Sequence, residues 1–394
     1  MRRTVLVTGT GGAGRSTVAA ATALAAAGDG LRTVLLTPGP LPAAVAATAG
    51  LRHLRLDPAA GFRSAALDLQ RQAKGVLDFL GAQPLEEDEL TELPAAEALA
   101  LLRALHSLHA DAAADPDAAA DPDGAGWDVV VADLAPVRTA LGHLALPENL
   151  ARLLARLLPP ERQAARALHP LLAQLAGVPM PAERLYATAA RWQTALAAVR
   201  ELLTGPGVSV RLVVGPEAGA PRAVAEARAG LALHGLHLEA VAVNRMLPGG
   251  SPDPFVAALH AGQRETTGEL RTALDPVPVW ELPWLPKART PGELAGLGVP
   301  APGASPVPGP APRVEDRLAD SGELVWRLPL PGAVREGVEL VRRGAEVIVT
   351  AGPYRRVLPL EGALVRCSVA GARLADGELA VRFRPDPALW PRGA

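Results

Sequence analysis

The sequence predicts an α/β fold, in which a doubly wound, mostly parallel sheet with helical inserts is followed by a small all-β sandwich. Three observations predict this fold. Short apolar segments alternate with helical segments, which is typical of a parallel sheet. A glycine-rich turn joins the first apolar segment to the first helix. A segment rich in Pro and Gly follows Gly298, and beyond it the apolar residues alternate with the period of β-strands.

The beginning of the chain predicts one βαβ unit. Thr4–Thr8 is rich in β-formers, Thr17–Ala27 is a helix of Ala, Leu and Val, and Thr33–Thr37 is apolar again. Three later apolar runs predict further strands of the same sheet. They are Trp127–Ala132, Val208–Val214 and Leu238–Val243.

Two helical inserts, about 55–110 and 147–205, interrupt this alternation. Phe62–Leu80 and Leu150–Leu175 carry apolar residues at helical spacing. Such a stripe predicts either an ordinary core-facing surface or a groove for an apolar ligand. The candidate groove residues are Leu150, Leu153, Leu154, Leu157 and Leu158.

The composition changes at the end of the predicted α/β domain, residues 1–298. Residues 299–322 contain so many prolines that a ladder of backbone hydrogen bonds is excluded, and they predict an extended linker. Residues 323–390 predict the sandwich, since short alternating segments are separated by turn residues. The predicted strands are Glu323–Leu330, Val338–Leu340, Glu346–Thr350, Tyr354–Pro359, Leu364–Val369 and Glu378–Phe383.

Charge and cysteine content exclude several classes of protein. The 394 residues carry 39 Lys and Arg against 41 Asp and Glu, so there is no positive field for nucleic acid. The single cysteine, Cys367, excludes an intramolecular disulfide and a cysteine-based metal site, and the histidines lack the spacing of a zinc site. With no apolar run of about 20 residues, the sequence predicts a cytoplasmic protein that is not integral to a membrane.

The glycine-rich turn has the pattern of a phosphate-binding loop. Gly9–Ser16 reads as Gly, four residues, Gly, a cation and a hydroxyl, placed between a strand and a helix. Glycines let successive backbone N–H groups converge on phosphate oxygens, and the helix dipole favours an anion. The alternative is a tight turn without a ligand. The predicted nucleotide-binding residues are Gly11, Gly12, Ala13, Gly14, Arg15, Ser16 and Thr17.

Two further motifs complete a family resemblance. Asp133–Pro136 reads Asp-Leu-Ala-Pro after a predicted strand, and Leu144–Pro147 reads Leu-Ala-Leu-Pro. With the loop, these motifs resemble the deviant phosphate-loop ATPases that include the arsenite-pump ATPase and the guided-entry factor for tail-anchored membrane proteins. The C-terminal segment Glu323–Trp390 is similar to the small-heat-shock-like (α-crystallin) domain found in a bacterial and plastid branch of this family.

The resemblance implies a fold of the P-loop NTPase type, ATP or ADP with Mg²⁺, and a dimer. It implies that Ser16 and Asp133 hold the metal ion and that Asn244 and Pro216 lie on the adenine side. It also implies a hydrophobic protein segment as client. The partner in the dimer is either a second copy or a related ATPase.

Three departures from the family pattern predict that ATP hydrolysis is weak or lost. Thr10 and Arg15 stand where the family has its two loop lysines, and Gly39 stands where the family has the Asp that positions the attacking water. The alternatives are a pseudo-ATPase scaffold, the inactive half of a heterodimer, and the energising ATPase of an oxyanion pump. The pump is disfavoured because it needs clustered cysteines.

Overall fold

The computed structural model describes residues 2–80, 83–91, 95–114, 126–157, 181–303 and 308–390. Its contacts divide the chain into two compact units. One unit comprises residues 1–54, 128–141 and 204–394, and the other, the helical unit, comprises 55–127 and 142–203. Residues 158–175 of the second predicted insert lie outside the residues that the structure describes, and so does the candidate groove residue Leu158.

The first unit is built on a seven-stranded sheet in the order β3-β2-β4-β1-β5-β6-β7. In this spatial order, each neighbouring pair of strands from β2-β4 to β6-β7 is parallel, which confirms the prediction of a mostly parallel sheet. The central strands β1, β2, β4 and β5 are buried along their whole length. The bounds are β1 Arg3–Gly9, β2 Thr33–Thr37, β3 Leu51–Arg55, β4 Val129–Asp133, β5 Val208–Val214, β6 Leu238–Met246 and β7 Val279–Pro283.

The two outer strands β3 and β7 were not predicted. β3 reads Leu-Arg-His-Leu-Arg and is buried only at Leu51, while β7 is mostly half-buried. An edge strand faces solvent along one side, so its polar residues hide the apolar pattern that identifies the interior strands.

The helices occupy the following ranges. They are α1 Arg15–Gly28, α2 Ala43–Ala46, α3 Pro58–Leu80, α4 Ala96–Ala114, α5 Val137–Leu157, α6 Pro181–Thr204, α7 Ala220–Leu233, α8 Pro254–Leu274, α9 Pro291–Ala295 and α10 Leu318–Ser321. In α1, six alanines and Val18 are buried, and such small side chains allow a helix to approach its neighbours closely. No helix within the described ranges is long and apolar enough to cross a membrane.

The C-terminal residues form two antiparallel sheets, confirming the all-β prediction. One sheet has the order β10-β11-β12 and the other β13-β14-β9-β8. The bounds are β8 Arg313–Arg317, β9 Glu323–Pro329, β10 Val338–Arg343, β11 Glu346–Ala351, β12 Tyr354–Pro359, β13 Cys367–Ala375 and β14 Glu378–Pro385. The predicted strand from Leu364 begins instead at Cys367, because Gly362–Arg366 forms a short 3₁₀-helix.

The spacer expected over residues 299–322 is shorter in the structure. β8 and α10 lie inside that range. β8 reads Arg-Val-Glu-Asp-Arg and is held by ion pairs, such as Glu315 with Arg327 at 2.8 Å, that join residues of neighbouring strands. Because β8 is mostly charged, it lacks the alternating apolar pattern from which a strand can be predicted.

The C-terminal sheets contact helix α7 within the first unit. The guanidinium of Arg356 on β12 donates a 2.7 Å hydrogen bond to the carbonyl of Leu233, at the C-terminus of α7. The ring of Tyr354 lies against Gly230, where an added Cβ would come within 2.6 Å of ring carbons. The C-terminal strands are therefore packed against α7 of the same unit.

Candidate functional site

The glycine-rich turn connects β1 to α1 at the carboxyl end of the sheet. Gly12 and Gly14 have φ of 77° and 92°, a left-handed conformation that favours glycine. Gly14 is also the N-cap of α1. The amide of Thr10 donates to the carbonyl of Val213 at 3.0 Å, which anchors the start of the turn to β5. The predicted strand-turn-helix context of a phosphate loop is present.

Asp133 ends β4 beside the first turn of α1. It is 4% exposed and accepts a hydrogen bond from the hydroxyl of Ser16. Burial raises the pKa of the Asp133 carboxyl above its usual range, although Ser16 and the charge of Arg15 act in the opposite direction. A hydroxyl and a carboxylate in contact are the oxygen donors that Mg²⁺ prefers, so this pair fits the ion.

The guanidinium of Arg15 forms a hydrogen bond within the protein. It donates to the backbone carbonyl of Leu134, immediately after Asp133. The same segment is fixed to β1, because Leu134 donates to the carbonyl of Val7 at 2.9 Å and Thr8 donates to that of Ala135 at 2.8 Å. In this arrangement Arg15 braces the Asp-Leu-Ala-Pro segment.

Asn244 lies directly behind the turn. Its side chain is 5% exposed and its Nδ2 donates to the carbonyl of Ala13 at 2.8 Å. A Cβ on Gly14 would overlap this amide. Asn244 therefore fixes the turn to β6, and the structure brings it together with the predicted loop residues.

A cavity of about 380 Å³ opens between the turn and the loop that follows β5. Its walls include Thr10–Ala13 on one side and Gly215, Glu217 and Gly219 on the other. Arg245, just after Asn244, also lines it. Pro216 is half-buried between two lining residues without lining the cavity itself.

The remaining predicted site residues, Ser16, Thr17 and Gly39, are not among the residues that line this cavity. Ser16 is exposed and Thr17 half-buried on the first turn of α1. Gly39 follows β2, where its carbonyl accepts a hydrogen bond from Thr37, and the Thr37 hydroxyl lies 2.8 Å from Nε2 of His53. No carboxylate occupies the position of Gly39.

The helical unit contains its own apolar cavity, of about 340 Å³. It is lined by α3, α4, α5 and α6, and of the predicted groove residues Leu150 is part of the lining. Leu153 and Leu157 are 53% and 67% exposed on α5, and Leu154 is half-buried. The other apolar lining residues include Leu99, Leu102, Leu146, Trp192, Leu196 and Val199, and three polar residues, Asp68, Arg103 and His106, also line the cavity.

The sequence singled out Glu217 and Arg245 only as members of two short segments, Pro216–Glu217 and Val243–Arg245, that follow predicted strands and resemble the adenine-side loops of the family. Neither residue was given a role, and the structure places both in the lining of the cavity beside the glycine-rich turn. The lining leucines of α4 could not be told from ordinary core leucines, because helical periodicity alone does not indicate which helices surround a cavity.

Comparison with protein families agrees with this geometry. Residues 2–297 match the model of the anion-transporting ATPases. Residues 321–383 match the HSP20-like domain found in the same family. The second match confirms the small-heat-shock-like prediction for the C-terminal strands.

Three relatives extend the comparison. An uncharacterized protein of Streptomyces coelicolor is 50% identical over 408 residues, covering 99% of this chain and 100% of its own. A protein of Mycobacterium tuberculosis is 31% identical, covering 99% of this chain and 97% of its own. A protein of Aquifex aeolicus, provisionally named an arsenical pump-driving ATPase, is 23% identical and covers 64% and 66%.

Proposed function

Because the chain belongs to the anion-transporting ATPase family, we propose that it binds Mg·ATP on the turn Gly9–Ser16 and hydrolyses it slowly or not at all. We propose further that nucleotide controls a helical unit that holds hydrophobic protein segments, as in guided entry. The observation that carries the proposal is the engagement of Arg15 with the Leu134 carbonyl. It leaves an intact turn without the cation that would be expected to act on the phosphates.

Nucleotide binding is supported by the turn and by the Ser16–Asp133 pair. Backbone N–H groups at the N-terminus of α1 suit phosphate oxygens. Ser16 would hold Mg²⁺ directly, and Asp133 would orient that hydroxyl and the ion's water. When bound, Mg²⁺ neutralises charge on the phosphates.

Weak hydrolysis is supported by three positions. Phosphoryl transfer on this fold depends on positioning and charge neutralisation, so each lost charge removes transition-state stabilisation. Thr10 carries no charge, Arg15 is held by a backbone carbonyl, and Gly39 has no side chain to position water. If each loss costs about tenfold or more, hydrolysis falls near background.

Client binding is supported by the apolar cavity of the helical unit. Leucines and Trp192 line it, and the neighbouring Leu153 and Leu157 are exposed on α5. Exposed apolar surface beside a cavity is typical of sites that bind apolar partners. The family resemblance supports a dimer, formed with a second copy or with a related ATPase.

A pseudo-ATPase scaffold, or the inactive half of a heterodimer, is the second candidate, favoured by the same three positions. Arsenite pumping has less support. The chain has one cysteine, Cys367, and it is buried in the C-terminal sheets. That leaves no cysteine cluster for a metalloid.

Steady-state hydrolysis at saturating Mg·ATP tests the nucleotide part. We expect turnover far below about 1 s⁻¹, the low end of typical enzymes. Partial recovery is expected in the triple variant T10K/R15K/G39D. Turnover of the parent in the ordinary enzymatic range would contradict the proposal of weak hydrolysis.

Binding of a fluorescent peptide with an apolar helix tests the client part. L150D should weaken binding at least tenfold, because it replaces an apolar contact of the cavity lining with a carboxylate that a bound apolar helix would desolvate. L85D is the matched control, since Leu85 is 52% exposed in the same unit and does not line the cavity. Equal binding by the parent and both variants would place the client elsewhere.

A further inference from the structure

Arg245 is the cation of the cavity beside the glycine-rich turn. The cavity walls include the backbone of Gly11 and Gly12, and the lining contains one basic residue, Arg245, and one acidic residue, Glu217. The carboxylate of Glu217 folds back over its own loop, against Gly215. Arg245 thus shares a cavity with the backbone that is expected to bind phosphate.

The backbone of Arg245 has an unusual conformation. Its φ is 67°, in the left-handed region, which is strained for a residue that carries a side chain. The pairing of β6 with β7 shifts register at this point, between Val243 and Met246. Asn244 is meanwhile fixed to the turn through Ala13. Strained backbone of this kind is concentrated at functional sites.

Among the residues that the structure describes, none is paired with the charge of Arg245. Arg245 makes no hydrogen bond or ion pair with any of them. Arg15, by contrast, is engaged with Leu134. The chain has only two lysines, Lys74 and Lys287, and neither is among the residues that line the cavity.

We propose that Arg245 is the phosphate-binding cation of this site, taking over the neutralising role that the residues at positions 10 and 15 do not fill. A planar guanidinium can donate two parallel hydrogen bonds to phosphate oxygens. This inference rests on the proposed nucleotide binding at Gly9–Ser16. It goes beyond it by naming the residue that selects for a polyphosphate.

Calorimetric titration with ATP and with inorganic tripolyphosphate, both with Mg²⁺, tests the inference. Tripolyphosphate has no base, so it reports on the phosphate contacts alone. R245A should bind both ligands about tenfold to a hundredfold more weakly than the parent, the usual loss for a hydrogen bond to a charged group. R245K should recover part of the affinity, because it keeps the charge and loses the fork.

Two control variants keep the result interpretable. R245G removes the side chain and relieves the left-handed strain, so it should unfold no more easily than the parent and still lose affinity. R222A changes an exposed arginine of α7 that pairs with Glu226 outside the cavity, and it should bind as the parent does.

The outcomes separate the inference from the function on which it rests. Parent-like binding of both ligands by R245A and R245G would overturn the role of Arg245 alone. Loss of ATP binding with unchanged tripolyphosphate binding would also overturn it, because the contact would then be with the nucleoside. Failure of the parent to bind either ligand would contradict nucleotide binding itself.

Discussion

Asp133 shows how a single buried carboxylate can be expensive for folding and useful for function. Its neighbour Ser16 satisfies part of its hydrogen bonding, yet burial still raises the pKa of the carboxyl. The folded protein therefore holds the Asp133 proton more tightly than the unfolded chain. The contribution of Asp133 to the free energy of unfolding therefore falls as the pH rises from the pKa of Asp133 in the unfolded chain to its higher pKa in the folded protein.

The variant D133N should consequently lose Mg·ATP affinity by about tenfold or more without losing stability. Its free energy of unfolding at pH 7, measured by urea denaturation without nucleotide, should equal or exceed that of the parent. D128N is the opposite control. Asp128 pairs with Arg32 at 3.1 Å, which lowers the pKa of its carboxyl, so D128N should destabilise and leave Mg·ATP binding unchanged. A destabilised D133N would contradict the account.

Three glycines of the turn differ in how well their positions should tolerate a side chain. Gly11 has open space and no left-handed φ, Gly12 has open space at φ 77°, and Gly14 has φ 92° and the amide of Asn244 in the path of a Cβ. We expect G11A to change the free energy of unfolding little and G12A to lower it by about 1 to 2 kcal/mol. G14A should lower it most. Chemical denaturation of the three variants measures this order, and equal losses would contradict it.

At this scale the sequence predicted the loop residues well and the cavity residues poorly. The pattern of Gly9–Ser16 carries its own context of strand, turn and helix. The left-handed backbone of Arg245 and the hydrogen bond of Arg15 to Leu134 depend on contacts between distant segments. Local sequence does not encode such contacts in a readable way.

Helix α7 is the element that connects the cavity with the C-terminal strands. Its first turn lines the cavity with Ala220 and Ala223, and its last turn contacts Tyr354 and Arg356. A guanidinium at a helix C-terminus is favourable because the last carbonyls carry partial negative charge. The packing of this helix thus depends on residues more than a hundred positions further along the chain.

Gly230 on α7 should not tolerate a larger side chain. A Cβ there would come within 2.6 Å of the Tyr354 ring and 2.8 Å of Leu141. G230A should lower the free energy of unfolding by about 1 to 3 kcal/mol through overpacking. G268A is the matched control, since Gly268 lies in α8 with open space around it, and alanine there should be neutral or stabilising. Parent-like stability of G230A would show that the C-terminal strands do not pack on α7.

His234, at the C-cap of α7, should make the protein sensitive to acid. Burial, and secondly the charge of Arg356, lowers the pKa of its imidazole to about 4. Between pH 6.5 and 4 the unfolded chain takes up a proton that the folded chain does not, so stability falls as the pH falls. The difference in unfolding free energy between pH 7 and pH 5 should be smaller in H234N by about 2 kcal/mol. An unchanged difference would contradict the burial of His234.

Element prediction succeeded where burial is complete on both faces. β2 and β5 were predicted with their observed bounds, because their residues are buried throughout and mostly apolar. β3, β7 and β8 were missed, since edge strands carry polar or charged residues. Interior strands of the sheets could thus be predicted from the sequence, whereas these three edge strands could not.

On the scale of the whole molecule, the sequence predicted a separate C-terminal domain beyond a linker. In the structure the C-terminal strands belong to the same compact unit as the seven-stranded sheet, and the helical residues form the second unit. Part of the reason lies at the start of the predicted linker. Pro300 accepts a 2.8 Å hydrogen bond from the buried Arg211 of β5, so the linker is anchored where it leaves the sheet. Composition predicts an extended segment and gives no sign of its anchor.

Calorimetric titration of the 394-residue protein with ATP, in the presence and absence of Mg²⁺, is the decisive test of nucleotide binding with weakened hydrolysis. We expect measurable heat with ATP and tighter binding when Mg²⁺ is present, because Ser16 and Asp133 would hold the ion. We also expect that the bound nucleotide remains largely ATP over the titration. Absence of heat under both conditions would contradict nucleotide binding and leave a scaffold, and rapid conversion to ADP would contradict weakened hydrolysis.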